Sequence, residues 1–205
     1  MSGPRLAAIV LAAGRSRRMG VADKLLLPVG GVAMVERVVA VAAEVADEVV
    51  VVVGPRSAGL RAALAARPVR FAVNANPDGG IAGSLAAGVQ ALDSAVSAAF
   101  VCLGDMPQVG GTELRRLAAA FAAATADAVC VPTYDGRRGN PVLWGRAHFR
   151  ELAALTGDVG GRTLFPALGD RVLEVPVENP GVLLDVDTPA AWRALQEQAD
   201  RVQPL

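Results

Sequence analysis

One histidine, two cysteines and no net charge mark this 205-residue chain, and each scarcity closes off a class of function. His148 lies on a segment with helical patterning and is expected at the surface or half-buried, so no Ser-His-Asp or Cys-His triad can be assembled. Cys102 and Cys130 sit in apolar, strand-like runs. They read as buried thiols in a reduced compartment, because there is neither a disulfide framework nor a metal-ligand spacing. Lysine plus arginine number 20 and aspartate plus glutamate also 20, which leaves no broad electrostatic footprint for nucleic acid. A local cluster of cations is then better read as a site. No apolar run is long enough to span a bilayer, and the run at 6–13 is followed by its positive charges, where a signal peptide has them in front. A cytoplasmic protein without membrane contact is the expectation. The length allows one domain, residues 1–205, with a sizeable core, and there is no internal repeat or low-complexity linker.

What is present is an alternation of apolar runs and helical patterns. Leu6 to Leu11 and Glu48 to Val53 are apolar without period-two alternation, the pattern of parallel strands covered on both faces. Short strands are expected at 69–73, 98–103, 128–132 and 172–175. Helices are expected at 32–46, 59–67, 81–92, 112–124 (capped by Thr112), 146–155 and 162–168, with a last helix started by Thr188-Pro189 in cap-then-proline order. Trp144 and Trp192 read as core residues, Arg115 and Arg116 as a solvated helix face, and the tail after Asp200 as frayed. The turn-rich stretch Tyr134 to Gly145 around a short strand at 141–144 reads as a hairpin-like insertion over the sheet edge. Gly181 to Asp187 reads as a strand carrying Asp185 and Asp187 on one face. The series gives an α/β three-layer sandwich with a mixed, mainly parallel sheet.

Ile9 to Lys24, IVLAAGRSRRMGVADK, leads from the first strand into a glycine-hinged loop. Arg15, Arg17, Arg18 and Lys24 crowd charge onto one short segment, which suits a multiply charged anion, and Gly14 and Gly20 let backbone amides approach it. Two phosphate-loop templates fail on spacing. Ser16 and Met19 stand where the second and third glycines of G-x-G-x-x-G belong, and the Walker pattern needs glycine at Met19 followed by Lys-Ser/Thr. What remains is L-A-A-G-x-S-x-R-M-G with a later lysine and a Leu-Pro pair. This resembles the nucleotidyltransferases of the molybdenum cofactor cytidylyltransferase and guanylyltransferase type, whose Rossmann-like fold the rest of the chain matches in outline. An ordinary basic loop is the bland alternative.

Leu103-Gly104-Asp105-Met106-Pro107 ends a central strand with a carboxylate, at the sheet edge where open α/β folds bind ligands. Asp105 is a metal-ligand candidate, since Mg²⁺ takes one or two protein carboxylates and completes its octahedron with phosphate oxygens and water. The alternative is a turn aspartate. Asp185 or Asp187 can supply the second carboxylate, and the similarity of L-G-D-M-P and D-V-D-T-P to the family's metal-binding segments favours Asp187.

The resemblance runs from the first strand to the last helix and implies the rest of the site. Leu11, Ala12, Ala13, Gly14, Arg15, Ser16 and Lys24 would bind the nucleotide, with Asn76, Gly83 and Ser84 near base and ribose. Lys24 and Arg18 would hold the β and γ phosphates, with Asp105 and Asp187 on Mg²⁺. Arg138-Gly139-Asn140-Pro141 resembles the R-G-H-P segment of the cytidylyltransferase branch, with Asn140 in the histidine position. It is followed, as in that branch, by an F-x-E-L-x-x-L-x-G-D-x-G segment from Phe149 to Gly160, and it is expected near the acceptor. The implied reaction moves a nucleotidyl group from a nucleoside triphosphate to a small phosphorylated acceptor such as molybdopterin and releases pyrophosphate. A transient partner enzyme would receive the product. Ala13, where the guanylyltransferase branch tends to carry glycine, favours CTP. Alternatives are a sugar-phosphate or other cofactor-precursor nucleotidyltransferase, a non-catalytic nucleotide-binding accessory protein, and a dinucleotide oxidoreductase that the failed G-x-G-x-x-G disfavours.

Overall fold

Strand β1 (Leu6–Ala12) is buried along almost its whole length because both of its faces are covered. In a computed structural model that describes residues 3–14 and 23–202, the side chains of Ala8, Val10 and Ala12 enter one core. Those of Ala7 and Ile9 enter a second core on the opposite side. Strand β4 (Glu48–Val53) does the same with its valines, so the continuous apolar runs in the sequence are two interleaved sets of core contacts. The first core is closed by α1 (Met34–Ala43), α2 (Ala58–Ala63), α4 (Gly111–Ala122) and α7 (Pro189–Val202). The second is closed by α3 (Ile81–Gln90), α5 (Phe149–Ala154) and α6 (Phe165–Leu168). The architecture is a three-layer α/β sandwich.

The strands in between are β5 (Arg70–Val73), β6 (Ala98–Leu103), β7 (Val129–Tyr134), β8 (Arg137–Arg138), β9 (Val142–Gly145) and β10 (Val172–Pro176). The large sheet runs β10-β7-β9-β6-β1-β4-β5, with β8 paired to β7 alone. Strand β1 pairs in parallel with β4 and β6, β4 with β5, and β7 with β10. Strand β9 is antiparallel to both β6 and β7. It corrects the expectation of an insertion over the sheet edge, for β9 is wedged inside the sheet. The reason is its composition: Val142, Leu143 and Trp144 are all buried, and only an interior slot covers both faces of such a strand.

A two-stranded hairpin, β2 (Pro28–Val29) with β3 (Val32–Ala33), takes the first residues of the expected 32–46 helix, so α1 starts only at Met34. Helix α4 starts one residue earlier than expected, and Glu113 rather than Thr112 closes its end by accepting from the Gly110 amide at 2.9 Å. The segment expected as a strand at 181–187 is a 3-10 turn, Pro180–Leu183, followed by chain that joins no sheet. Thr188 Oγ1 accepts from Ala191 N at the start of α7, as the cap-then-proline order foretells. Helix α3 lies close on the sheet at Gly88, where a Cβ would stand 2.4 Å from Ile9 Cγ2. No helix among the described residues is long and apolar enough to cross a membrane.

Candidate active site

From β1 the chain builds outward to β4 and β5, then returns to lay β6 on the other side of β1. Between β1 and β6 the strand order therefore reverses, and the carboxyl ends of these strands open a crevice. Leu11 O accepts from Gly104 N at 3.1 Å, so the two strand ends are tied at its floor. A cleft of about 620 Å³ opens there, lined among others by Leu11, Ala13, Gly14, Ser84 and Asp105. Ala12 turns the other way into the core. Asn76 and Gly83 are not among the lining residues: Asn74 Oδ1 accepts from Asn76 N at 3.0 Å, and Gly83 packs on the Asn74 side chain. Ser84 is buried, its hydroxyl accepting from Asn74 Nδ2 at 3.0 Å. Arg15, Ser16 and Arg18 lie outside the described residues.

At the Asp105 end, three charged groups from distant parts of the chain meet. Lys24 opens a 3-10 turn (Lys24–Leu26) that Asp23 caps by accepting from Leu25 N at 3.1 Å. The turn is anchored by buried Leu25. Burial raises the Asp23 carboxyl above its ordinary value, against the opposing effect of the Leu25 amide. Lys24 Nζ donates to Asp105 Oδ2 at 2.7 Å and also to Asp187 Oδ1. Asp187 is brought within reach because Val186 is buried and its amide donates to Asp105 O at 2.9 Å. Partial burial works against the ammonium charge, yet the hydrogen bonds and attraction of Asp105 and Asp187 outweigh it and hold Lys24 above its ordinary value. Asp185, expected beside Asp187, instead lines a neighbouring cleft with Arg138 and Asn140. Without a strand there is no shared face.

These groups fit a divalent cation. Two carboxylates already converge on one positive charge, and hard oxygen donors are what Mg²⁺ and Mn²⁺ select. Among the described residues no group of three or more His, Cys, Asp or Glu could hold a metal. Mg²⁺ sites use one or two protein carboxylates and complete the shell with water and phosphate oxygens.

The segment Phe149 to Gly160 reaches the cleft between β1 and β6. Gly157 and Asp158 line the same cleft as Ala13 and Ser84. Gly157 O accepts from Ala82 N at 3.3 Å, and Asp158 Oδ1 from Ile81 N at 3.3 Å. Gly80, at φ 92°, has no room for a side chain, since a Cβ would lie 2.4 Å from Gly157 O. The G-G step before α3 was visible in the sequence, but its partner 77 residues away was not. His148 is also more buried than expected: Nε2 bonds Asp127 O at 2.7 Å and Nδ1 lies 3.1 Å from Glu151 Oε2. It packs edge-on against Trp144 and stands away from the cleft lining.

The family described as "MobA-like NTP transferase domain" matches residues 8–172. Over 107 residues the chain is 39% identical to the "Probable molybdenum cofactor guanylyltransferase" of Methanosarcina acetivorans, covering 50% of this chain and 47% of the relative. The chain thus spans about half the length of the curated relatives it matches. The crystal structure of Rv0371c from Mycobacterium tuberculosis is 32% identical, covers 96% of this chain and 100% of its own, and superposes with a TM-score of 0.85. A structure of Rv0371c in complex with manganese is 29% identical over the same coverage, with a TM-score of 0.79. The chain, with its Rossmann-like sheet and its crevice between β1 and β6, belongs to the MobA-like NTP transferase family.

Proposed function

We propose that this protein transfers a nucleotidyl group from a nucleoside triphosphate to a small phosphorylated acceptor of molybdenum cofactor biosynthesis, with molybdopterin the first candidate. The observation that carries the reading is the meeting of Lys24, Asp105 and Asp187 at the end of the cleft between β1 and β6. An ionised acceptor oxygen needs no general base, so the protein's task is alignment and neutralisation of charge.

In this reading Leu11, Ala13 and Gly14 seat the nucleotide, and Lys24, with Arg18 from the loop, moves from the carboxylates to the β and γ phosphates. Asp105 and Asp187 are then left to hold a divalent cation, Mg²⁺ or Mn²⁺, which supplies positive charge at the phosphates when bound. The manganese complex of Rv0371c supports a divalent ion in a related protein. Ala13 lies on the cleft wall, where its methyl group narrows the space next to the base and favours CTP. GTP is the second reading, supported by the guanylyltransferase names of the curated relatives. Pyrophosphate release with each of the four triphosphates, against molybdopterin and a panel of sugar phosphates, tests the reaction and the base together. Release with none of these pairs contradicts it.

A further inference from the structure

Beyond the ion pair of Lys24 and Asp187, the same two segments meet twice more. Pro28 O accepts from the Trp192 indole N–H at 2.8 Å. Gly30 N donates to Gln196 Oε1 at 3.3 Å, one turn further along α7. The contacts are in step: as the chain runs on from Lys24, its partners run on from Asp187.

The hairpin that carries Pro28 and Gly30 needs such contacts. Strands β2 and β3 join no larger sheet, and a lone two-stranded hairpin is marginal in water. Gly30 and Gly31, at φ 57° and 77°, form its turn, a two-residue connection that takes positive φ at both positions. On one side Arg37 of α1 donates from Nε to Val29 O at 2.7 Å. On the other stand Trp192 and Gln196 of α7. A Cβ on Gly30 would lie 2.8 Å from Arg37 Nη2 and 3.4 Å from Ala199 Cβ, so the hairpin tip fits closely between the two helices. Trp192 packs against the first core and gives its single donor to the hairpin, which uses both the apolar body and the polar handle of the indole.

We infer that Trp192, with Gln196 beyond it, is a positioning residue for the reaction: it touches no reacting atom and holds Lys24 and Asp187 in reach of each other while both change partners. The inference rests on the nucleotidyl transfer proposed above. Only the first of the three contacts belongs to the site. Between Lys24 and Pro28 stand just Leu25, Leu26 and Leu27, with Leu25 buried and Leu27 N donating to Lys24 O at 3.1 Å. So short and so fixed a link passes a shift of Pro28 on to Lys24. When Lys24 turns to the phosphates and Asp187 to a cation, the ion pair between them opens. The hydrogen bonds of Trp192 and Gln196 then keep the two segments together, and a displacement of about 1 Å at such a site is costly in rate.

Lys24 is the only lysine of the chain, so its amine can be followed alone, by acetylation of the full chain at neutral pH read by mass spectrometry. Held by two carboxylates, the ammonium keeps its proton and reacts slowly. Trp192→Phe keeps an aromatic ring and removes the N–H, and Gln196→Ala removes the second contact. In both, acetylation should quicken about fivefold or more, the equilibrium weight of one hydrogen bond. Cys102 and Cys130 should stay as closed to a thiol reagent as in the wild type, which a general loosening of the fold would not allow. Turnover should fall about tenfold in Trp192→Phe. The same substitution made in Lys24→Ala should cost less than about twofold, since effects that run through one group do not add. Unchanged lysine reactivity in both variants, thiols opened along with the lysine in both, or a tenfold loss in Lys24→Ala as well overturns the inference. If the wild type releases no pyrophosphate with any triphosphate, the nucleotidyl reading fails, and lysine reactivity alone then decides whether Trp192 holds Lys24 in place.

Discussion

Lys24 Nζ stands 2.7 Å from Asp105 Oδ2, a carboxylate 81 residues further along the chain. The lysine is both the counter-charge of the carboxylates that would hold a metal and the cation that would hold the phosphates. It cannot serve both at once. In the proposed reading, binding of nucleotide and metal would amount to an exchange of partners at one point, replacing a lysine-carboxylate pair with lysine-phosphate and metal-carboxylate pairs.

Lys24→Ala and Asp105→Ala should each lower turnover about 10² to 10³-fold, the usual cost of removing one preorganised electrostatic group. Both side chains sit at element ends outside the core, so the circular dichroism spectrum should not change. Steady-state rates of pyrophosphate release check this, and wild-type rates in either variant contradict the assigned roles.

Activity should require Mg²⁺ or Mn²⁺. Asp187→Asn should raise the metal concentration needed for half-maximal rate more than Asp185→Asn does, since Asp187 shares Lys24 with Asp105 while Asp185 faces the other cleft. A metal titration of the three proteins decides it. Full rate in chelator excludes the metal role, and an equal shift in both variants leaves the choice of Asp187 without support.

CTP should be used in preference to GTP, and Ala13→Gly should narrow the difference. Discrimination by a single methyl group is worth roughly 1 to 3 kcal/mol, a preference rather than a rejection. Competition at equal concentrations measures it. If GTP is preferred and Ala13→Gly changes nothing, this position does not read the base.

The buried thiols set an alkaline limit. Desolvation pushes Cys102 from 9.0 up to about 12 and Cys130 up to about 11. Below the unfolded value near 9 both states keep their protons and stability is full. As pH rises toward these folded values the unfolded chain ionises first, and stability should fall by about 1.4 kcal/mol per pH unit for each thiol. Melting temperatures between pH 8 and 11 should drop, and less so in Cys102→Ala measured against its own value at pH 8. A flat profile contradicts the burial argument.

Gly88→Ala should destabilise the fold by about 1 to 3 kcal/mol, the cost of overpacking. Its Cβ would stand 2.4 Å from Ile9 Cγ2 and 3.1 Å from Val52 Cγ2, both in the core. Urea unfolding of the variant reads the loss directly.

Residues that were legible in the sequence are those whose local pattern admits one solution. The apolar runs of β1 and β4 announced doubly covered strands, β6 was expected as a strand, and Asp105 stood at its predictable end. The 141–144 strand was visible, but its interior slot was not, because its pairing with β6 depends on residues more than forty positions away. The period-two reading of Asp185 and Asp187 failed for a related reason. Val182 and Val186 are buried by contacts with other segments without a ladder, so an apolar-polar alternation arose without a strand.

Transfer of the α phosphorus is read from the position of a radiolabel. With CTP labelled at the α phosphorus and a phosphorylated acceptor such as molybdopterin, label should appear on the acceptor in the wild type and be lost in Lys24→Ala. Label at the γ phosphorus should leave in pyrophosphate. If γ label appears as inorganic phosphate while the acceptor stays unlabelled, the protein is a triphosphate hydrolase and the account is wrong.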